Sequence, residues 1–206
     1  MFRRDVVRHF FRVKPSGLLL LAAFLLLSRS WLLPAAIFSA AICHELAHCL
    51  ALSALRARPR TLTLSASGAS LYVPGLTRLS YGGELLAVAA GPMCNLLLWA
   101  LLSALSWDAL SVFSGANLLL GALNLLPVQP MDGGRLLWLL TALATEPYTA
   151  DRVAGLVGAA VGILLLLLCL YLTASTGGGL FLLPGALWLA VKGVLPNGEK
   201  TAKINC

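Results

Sequence analysis

The sequence predicts an all-α polytopic membrane protein with six transmembrane helices. Three observations carry that expectation. Of 206 residues, 59% are hydrophobic and only 11% charged, with a mean hydropathy of +0.89. Soluble domains average about 45–50% apolar and about 25% charged, so this chain cannot dress a globular surface and lipid must be its solvent. Apolar runs stand at about 17–30, 31–55, 84–107, 110–126, 153–173 and 179–194. The charges fall between those runs, in alternation.

Taken in order, the first run is shorter than the roughly 20 residues a span needs and must borrow from its flanks. It follows a basic segment, as a secretory signal would. No small-residue cleavage site comes after it and further apolar runs do, so it reads as an uncleaved first helix. Pro34 marks where the second helix restarts. Residues 61–73, TLTLSASGASLYV, alternate polar and apolar at their start. They read either as a short β-hairpin on the cytoplasmic side or as an ordinary connecting loop. An unpaired edge of such a hairpin would accept an extended peptide by strand addition. Glu84 opens the third run as a first-turn acid. Residues 127–134, PVQPMDGG, hold two prolines and two glycines that should not continue a helix, which predicts an unwound segment in the fourth span. At membrane depth such backbone survives only when buried in protein or lining a wet cavity. No internal repeat or low-complexity tail appears, so residues 1–206 read as a single transmembrane domain.

The formal net charge is +7. Arg3, Arg4, Arg8, Arg12 and Lys14 precede the first run; Arg56, Arg58, Arg60 and Arg78 separate the second from the third. Arg135 and Arg152 lie between the fourth and fifth, and Lys192, Lys200 and Lys203 close the chain. The opposite loops carry only Arg29 and Asp108. The positive-inside rule then puts both termini in the cytoplasm. Short basic flanks of this kind suit anionic lipid headgroups, and with no aromatics interleaved along a basic stripe, nucleic acid is not an expected partner.

The chemistry concentrates in a few polar residues inside apolar runs. His44-Glu45-Leu46-Ala47-His48 lies in the second. Residues four apart share a helix face, so both imidazoles can reach one ion, and neutral imidazole suits zinc. Glu45 stands beside them as a base for the attacking water. One buried histidine could be a satisfied core residue. Three ionisable side chains at metal spacing in an apolar helix resist that reading, because a charge at bilayer depth costs about 2.5–3.5 kcal/mol.

A catalytic zinc takes three protein ligands and keeps one position open. Asp132, in the broken segment, is the strongest third ligand. Asp108 reads as an interface residue and His9 as a headgroup residue. Cys43 and Cys49 adjoin the histidines but lie about 100° round the helix from the nearer one. The five cysteines, an odd number without C-x-x-C spacing, read as small buried hydrophobes rather than a disulfide framework. Asn95 and Asn124 each lie beside helix-breaking residues. An amide in hydrocarbon needs partners. Either could be interhelical glue, or the two could line a wet cavity where they hold substrate backbone or an oxyanion. Asn117 lacks that setting and reads as glue.

His44-Glu45-x-x-His48, Gly91-Pro92-x-x-Asn95 and Asn124-x-x-Pro127-x-x-x-x-Asp132-Gly133 occur in that order. Together they resemble the site-2 protease family of intramembrane zinc metalloproteases, over about residues 31–140. The short six-span form resembles the stage IV sporulation protein FB group, without that group's CBS domain and without a PDZ domain. The resemblance implies Zn²⁺ held by His44, His48 and Asp132, Glu45 as the catalytic base, and Asn95 and Asn124 as substrate-placing residues. It implies regulated intramembrane proteolysis of a membrane-tethered protein such as a transcription factor, with membrane lipid and regulatory membrane proteins as further partners.

On this reading Glu45 takes the water proton and delivers it to the leaving amine, and an asparagine amide helps hold the oxyanion. The stretch from His48 to Arg56 amounts to about 12 Å of helix rise, against a hydrocarbon half-thickness of about 15 Å, so the metal would lie slightly to the cytoplasmic side of the midplane. The alternative is a catalytically silent membrane module that binds or transports metal. A closed structural site would need a fourth protein ligand and has no use for Glu45. A transporter would show acidic or histidine residues along more spans than this chain does.

Overall fold

The computed structural model describes residues 11–16, 28, 30–65, 68–74, 76–105, 108–176, 182–194 and 203–205. The elements run β1 (Phe11–Val13), α1 (Leu32–Ala54), β2 (Thr61–Ser65), β3 (Gly68–Tyr72), α2 (Tyr81–Ala104), α3 (Asp108–Asn124), α4 (Asp132–Ala144), α5 (Pro147–Thr176), α6 (Leu183–Val194) and β4 (Lys203–Asn205). They form two compact units, one reaching to Asn124 and taking in β4, the other beginning at Leu125.

In the first unit α1, α2 and α3 pack against one another. Helix α1 tolerates Pro34 because it falls in the first turn, where no intrahelical bond is lost. It ends in a 6→1 cap: Ala57 N–H donates to Leu52 O at 2.8 Å and Arg56 N–H to Ser53 O at 3.0 Å. Arg56 takes the left-handed conformation (φ 59°) that this cap demands and that glycine usually supplies. Small residues sit where α1 meets α3: Ala36, Ala40 and Ala116 are buried, with Ile37, Val112, Phe113 and Leu120 packed round them. Helix α2 opens on Ser80, whose Oγ accepts from Gly83 N–H at 3.2 Å. Glu84 sits in the first turn of α2 as expected, and is buried there.

Of the two readings of residues 61–73, the hairpin is the one observed. β2 and β3 pair antiparallel in register Thr61↔Tyr72 to Ser65↔Gly68. The sheet order is β1-β2-β3-β4. β1 runs parallel to β2 and β4 antiparallel to β3. Both edges of the hairpin are therefore paired within the chain, and the unpaired hairpin edge expected for strand addition is not there. Each of those pairings joins the hairpin to a segment far from it in sequence, which local pattern cannot reveal.

The second unit begins with the expected break, but in a different place. Residues 125–131 are non-helical, and Asp132, Gly133 and Gly134 already belong to α4. The glycines are there for close approach. A Cβ on Gly133 would meet the carbonyl oxygens of Leu125 and Leu126, and one on Gly134 would lie 2.8 Å from Gln129 N. The loop folds back onto the first turn of α4, held by Met131 N–H to Val128 O at 2.8 Å. Helix α4 was absent from the expected spans. Trp138 Nε1 ties it to α5 by donating to Asp151 Oδ1 at 2.6 Å, with the Arg135 guanidinium 4.5 Å over the indole. Helices α5 and α6 meet through Gly158, Gly162, Ala190 and Gly193, the small-residue contact typical of helices packed in lipid.

Among the described residues, three helices are long and apolar enough to cross a membrane: Leu32–Ala54, Tyr81–Ala104 and Pro147–Thr176. A shorter apolar helix covers Leu110–Asn124, and α6 has 12 residues. The first expected span, 17–30, lies outside the described residues apart from Ser28 and Ser30, as does His9. Cys43, Cys49, Cys94 and Cys169 are free thiols.

Candidate functional site

The first unit holds the two histidines between α1 and α2. Ala40, His44 and His48 recur every four residues on α1, and Ala87, Gly91 and Asn95 every four on α2. These two stripes face each other in antiparallel order. His48 Nδ1 lies 2.8 Å from Ala87 O. His44 Nδ1 lies 3.2 Å from Asn95 Oδ1, and Asn95 Nδ2 donates to Ala40 O at 3.3 Å. Between these pairs Gly91 has no side chain to spare: a Cβ there would stand 2.6 Å from His48 Cε1 and 2.8 Å from His44 Cε1, and closer still to His48 Nε2. The gap that a residue of any larger size would fill is taken by imidazole.

Those oxygen partners favour a proton on Nδ1 of each ring. A carbonyl oxygen only accepts, so His48 must carry its proton on Nδ1. The Asn95 amide is oriented by the donation to Ala40 O, which leaves its oxygen towards His44, so His44 is Nδ1–H as well. The Nε2 atoms of the two rings are brought together. They face one another at 3.1 Å, with the rings at 81° and 4.7 Å between centroids. Two imidazole nitrogens held this close can ligate one cation. A metal-binding histidine characteristically donates its other ring nitrogen to an oxygen, as both do here. The donor set fits a metal.

Glu45 stands on α1 between the two, partly buried, with its Oε2 shielded from solvent. Asn95 is completely buried and lies behind His44, both ends of its amide bonded within the protein. Asn124, also buried, is the last residue of α3. In the second unit Asp132 is completely buried in the first turn of α4, where the helix dipole favours a carboxylate. Asn117, read as glue, donates to Phe113 O of its own helix at 2.9 Å.

Sequence reasoning missed Ala87 and the steric role of Gly91. The four-residue spacing of Ala87, Gly91 and Asn95 was the available signal, since small residues in a row on an apolar helix mark a close helix contact.

No family model and no curated protein matches the sequence. The fold does have a solved counterpart: the site-2 protease from Methanocaldococcus jannaschii superimposes with a TM-score of 0.64 at 20% identity, over 93% of each chain. This chain has a site-2 protease fold. Identity at that level carries the architecture and leaves the activity to be argued from the residues.

Proposed function

We propose that this chain is an intramembrane zinc metalloprotease that hydrolyses peptide bonds of membrane-associated proteins within or next to the bilayer. The observation that carries the reading is the pair of buried imidazoles whose Nε2 atoms lie 3.1 Å apart, each with its Nδ1 against an oxygen. We assign His44, His48 and Asp132, each of them buried, as the ligands of the metal. Two imidazoles and one carboxylate suit zinc with a position left open for catalysis. The site-2 protease fold supports the same reading.

A bound zinc would supply Lewis-acid polarisation of the scissile carbonyl and of the attacking water. The protein's own residues do the rest. The Nδ1–H bonds to Asn95 and Ala87 orient the two ligand rings. The Glu45 carboxylate accepts the proton of the attacking water and passes it to the leaving amine nitrogen. Asn124 holds substrate backbone. We further propose the short six-span form, with both termini cytoplasmic, acting on a membrane-tethered protein such as a transcription factor under the control of regulatory membrane proteins. Reporter fusions at the two ends test the topology, and an external reading at either end removes the six-span arrangement.

The test of the activity is metal analysis of purified protein alongside cleavage of single-span substrates in liposomes. About one zinc per chain, lost in Asp132→Ala, with cleavage that depends on zinc, is the expected result. Unchanged zinc content in that variant moves the third ligand elsewhere. Zinc-loaded protein that cleaves no single-span substrate favours a silent metal-binding module.

A further inference from the structure

We propose that Asn95 is a positioning residue for the metal, which holds His44 in its Nδ1–H tautomer rather than touching substrate. The inference rests on the metalloprotease reading and deepens it. The geometry behind it has three parts. Asn95 has no exposed surface, so it has no face to offer a substrate chain. Its Nδ2 donates to Ala40 O at 3.3 Å, and this fixes which way the amide points: turned over, it would set its oxygen against the carbonyl of Ala40, two acceptors face to face. With the amide so held, Oδ1 can only accept from His44 Nδ1 at 3.2 Å. The proton is thereby kept off Nε2, the atom aimed at the metal.

His48 is served differently. Its Nδ1 donates to the main-chain oxygen of Ala87, which no side-chain substitution removes. The two ligands therefore form a built-in comparison. Replacing Asn95 should disturb His44 and leave the His48 tautomer as it is. Simple interhelical glue would behave otherwise, since losing it would weaken the α1–α2 contact without selecting one ring.

The experiment follows the ring nitrogens of metal-free protein by ¹⁵N NMR in detergent, and titrates zinc against a competing chelator. In the wild-type chain both His44 and His48 should be protonated on Nδ1. Asn95→Leu keeps the bulk and removes the acceptor. It should spread His44 over both tautomers, leave His48 unchanged, and weaken zinc binding about 10–100-fold, the usual cost of losing such a partner. Asn95→Asp, which keeps an oxygen towards His44 but sets its second oxygen against the Ala40 carbonyl, should keep the His44 proton on Nδ1 while lowering the melting temperature. A wild-type His44 protonated on Nε2 overturns the inference without any variant having to fold. So does Asn95→Leu with undiminished zinc affinity. A wild-type protein that binds no zinc at all overturns the metalloprotease reading itself, a result distinguishable from either.

Discussion

Gly91 and His48 touch so closely that any side chain at position 91 would occupy the imidazole's place. The backbone of α2 forms one wall of the histidine pocket, and the absence of a Cβ is what lets the wall stand there. Gly91→Ala should therefore destabilise the protein although alanine is the better helix former by about 0.8–1 kcal/mol. Overpacking of a tight interior typically costs about 1–3 kcal/mol. Neither ring can retreat while Asn95 and Ala87 hold it. A lower melting temperature in detergent together with lost zinc binding is the expected outcome. A variant as stable as wild type with full zinc occupancy would show that the wall can give.

A second prediction concerns the contact between α5 and α6. A Cβ on Gly193 would lie 2.5 Å from Gly158 O and 2.7 Å from Gly158 C, backbone atoms that cannot rotate away. Gly155 on α5 has nothing within 4 Å of its Cβ position. Gly193→Ala should then lower stability by about 1–3 kcal/mol, while Gly155→Ala should leave it unchanged or raise it by up to about 0.5–1 kcal/mol. Thermal unfolding of the two variants side by side checks this. Equal effects would mean that the small-residue contact is not a determinant of stability.

The contrast between these glycines also shows what was legible in the sequence. His44, Glu45 and His48 could be read because their relationship is local: helix periodicity alone puts the two histidines on one face. Asp132 could be named because few acids occur within apolar runs. Helix α4 escaped because its opening Asp-Gly-Gly follows two prolines and looks like a continued break. Only the folded loop shows that Gly133 and Gly134 make room for carbonyls. The sheet was half-visible. The alternation at Thr61–Ser65 hinted at a strand, whereas its pairing with β1 and that of β3 with β4 join residues far apart in sequence. The roles of Ala87, Gly91 and Asn95 depend on which α2 residue lies opposite which α1 residue, a tertiary register no single helix encodes.

Asn124 closes α3 immediately before the non-helical stretch that leads to Asp132. It is assigned here to holding substrate backbone. Asn124→Ala should then lower the cleavage rate more than it lowers the yield of folded, zinc-loaded protein. Yield, zinc content and turnover measured on one preparation decide the matter. A variant that simply fails to fold, with no separable catalytic loss, would return Asn124 to the role of interhelical glue.

The last prediction addresses Glu45. If its carboxylate takes the proton from water, Glu45→Gln should abolish cleavage while zinc stays bound, because the proposed ligands are the neighbouring imidazoles and Asp132. Glutamine keeps the size and reach of the side chain and cannot accept that proton. It also removes a potential charge from an apolar helix, so the variant should be no less stable than wild type. Losing a general base costs about 10²–10⁴ in rate. Glu45 is asked both to accept the proton and to hand it to the leaving amine, so the larger figure is expected. The measurement is the appearance of a shortened fragment of a co-reconstituted single-span protein, with zinc content and melting temperature taken on the same sample. A zinc-depleted variant would make Glu45 part of the binding site rather than the base. Wild-type cleavage by a zinc-loaded Glu45→Gln protein would remove the proton transfer on which the proposed hydrolysis depends, and the catalytic base would have to be sought outside α1.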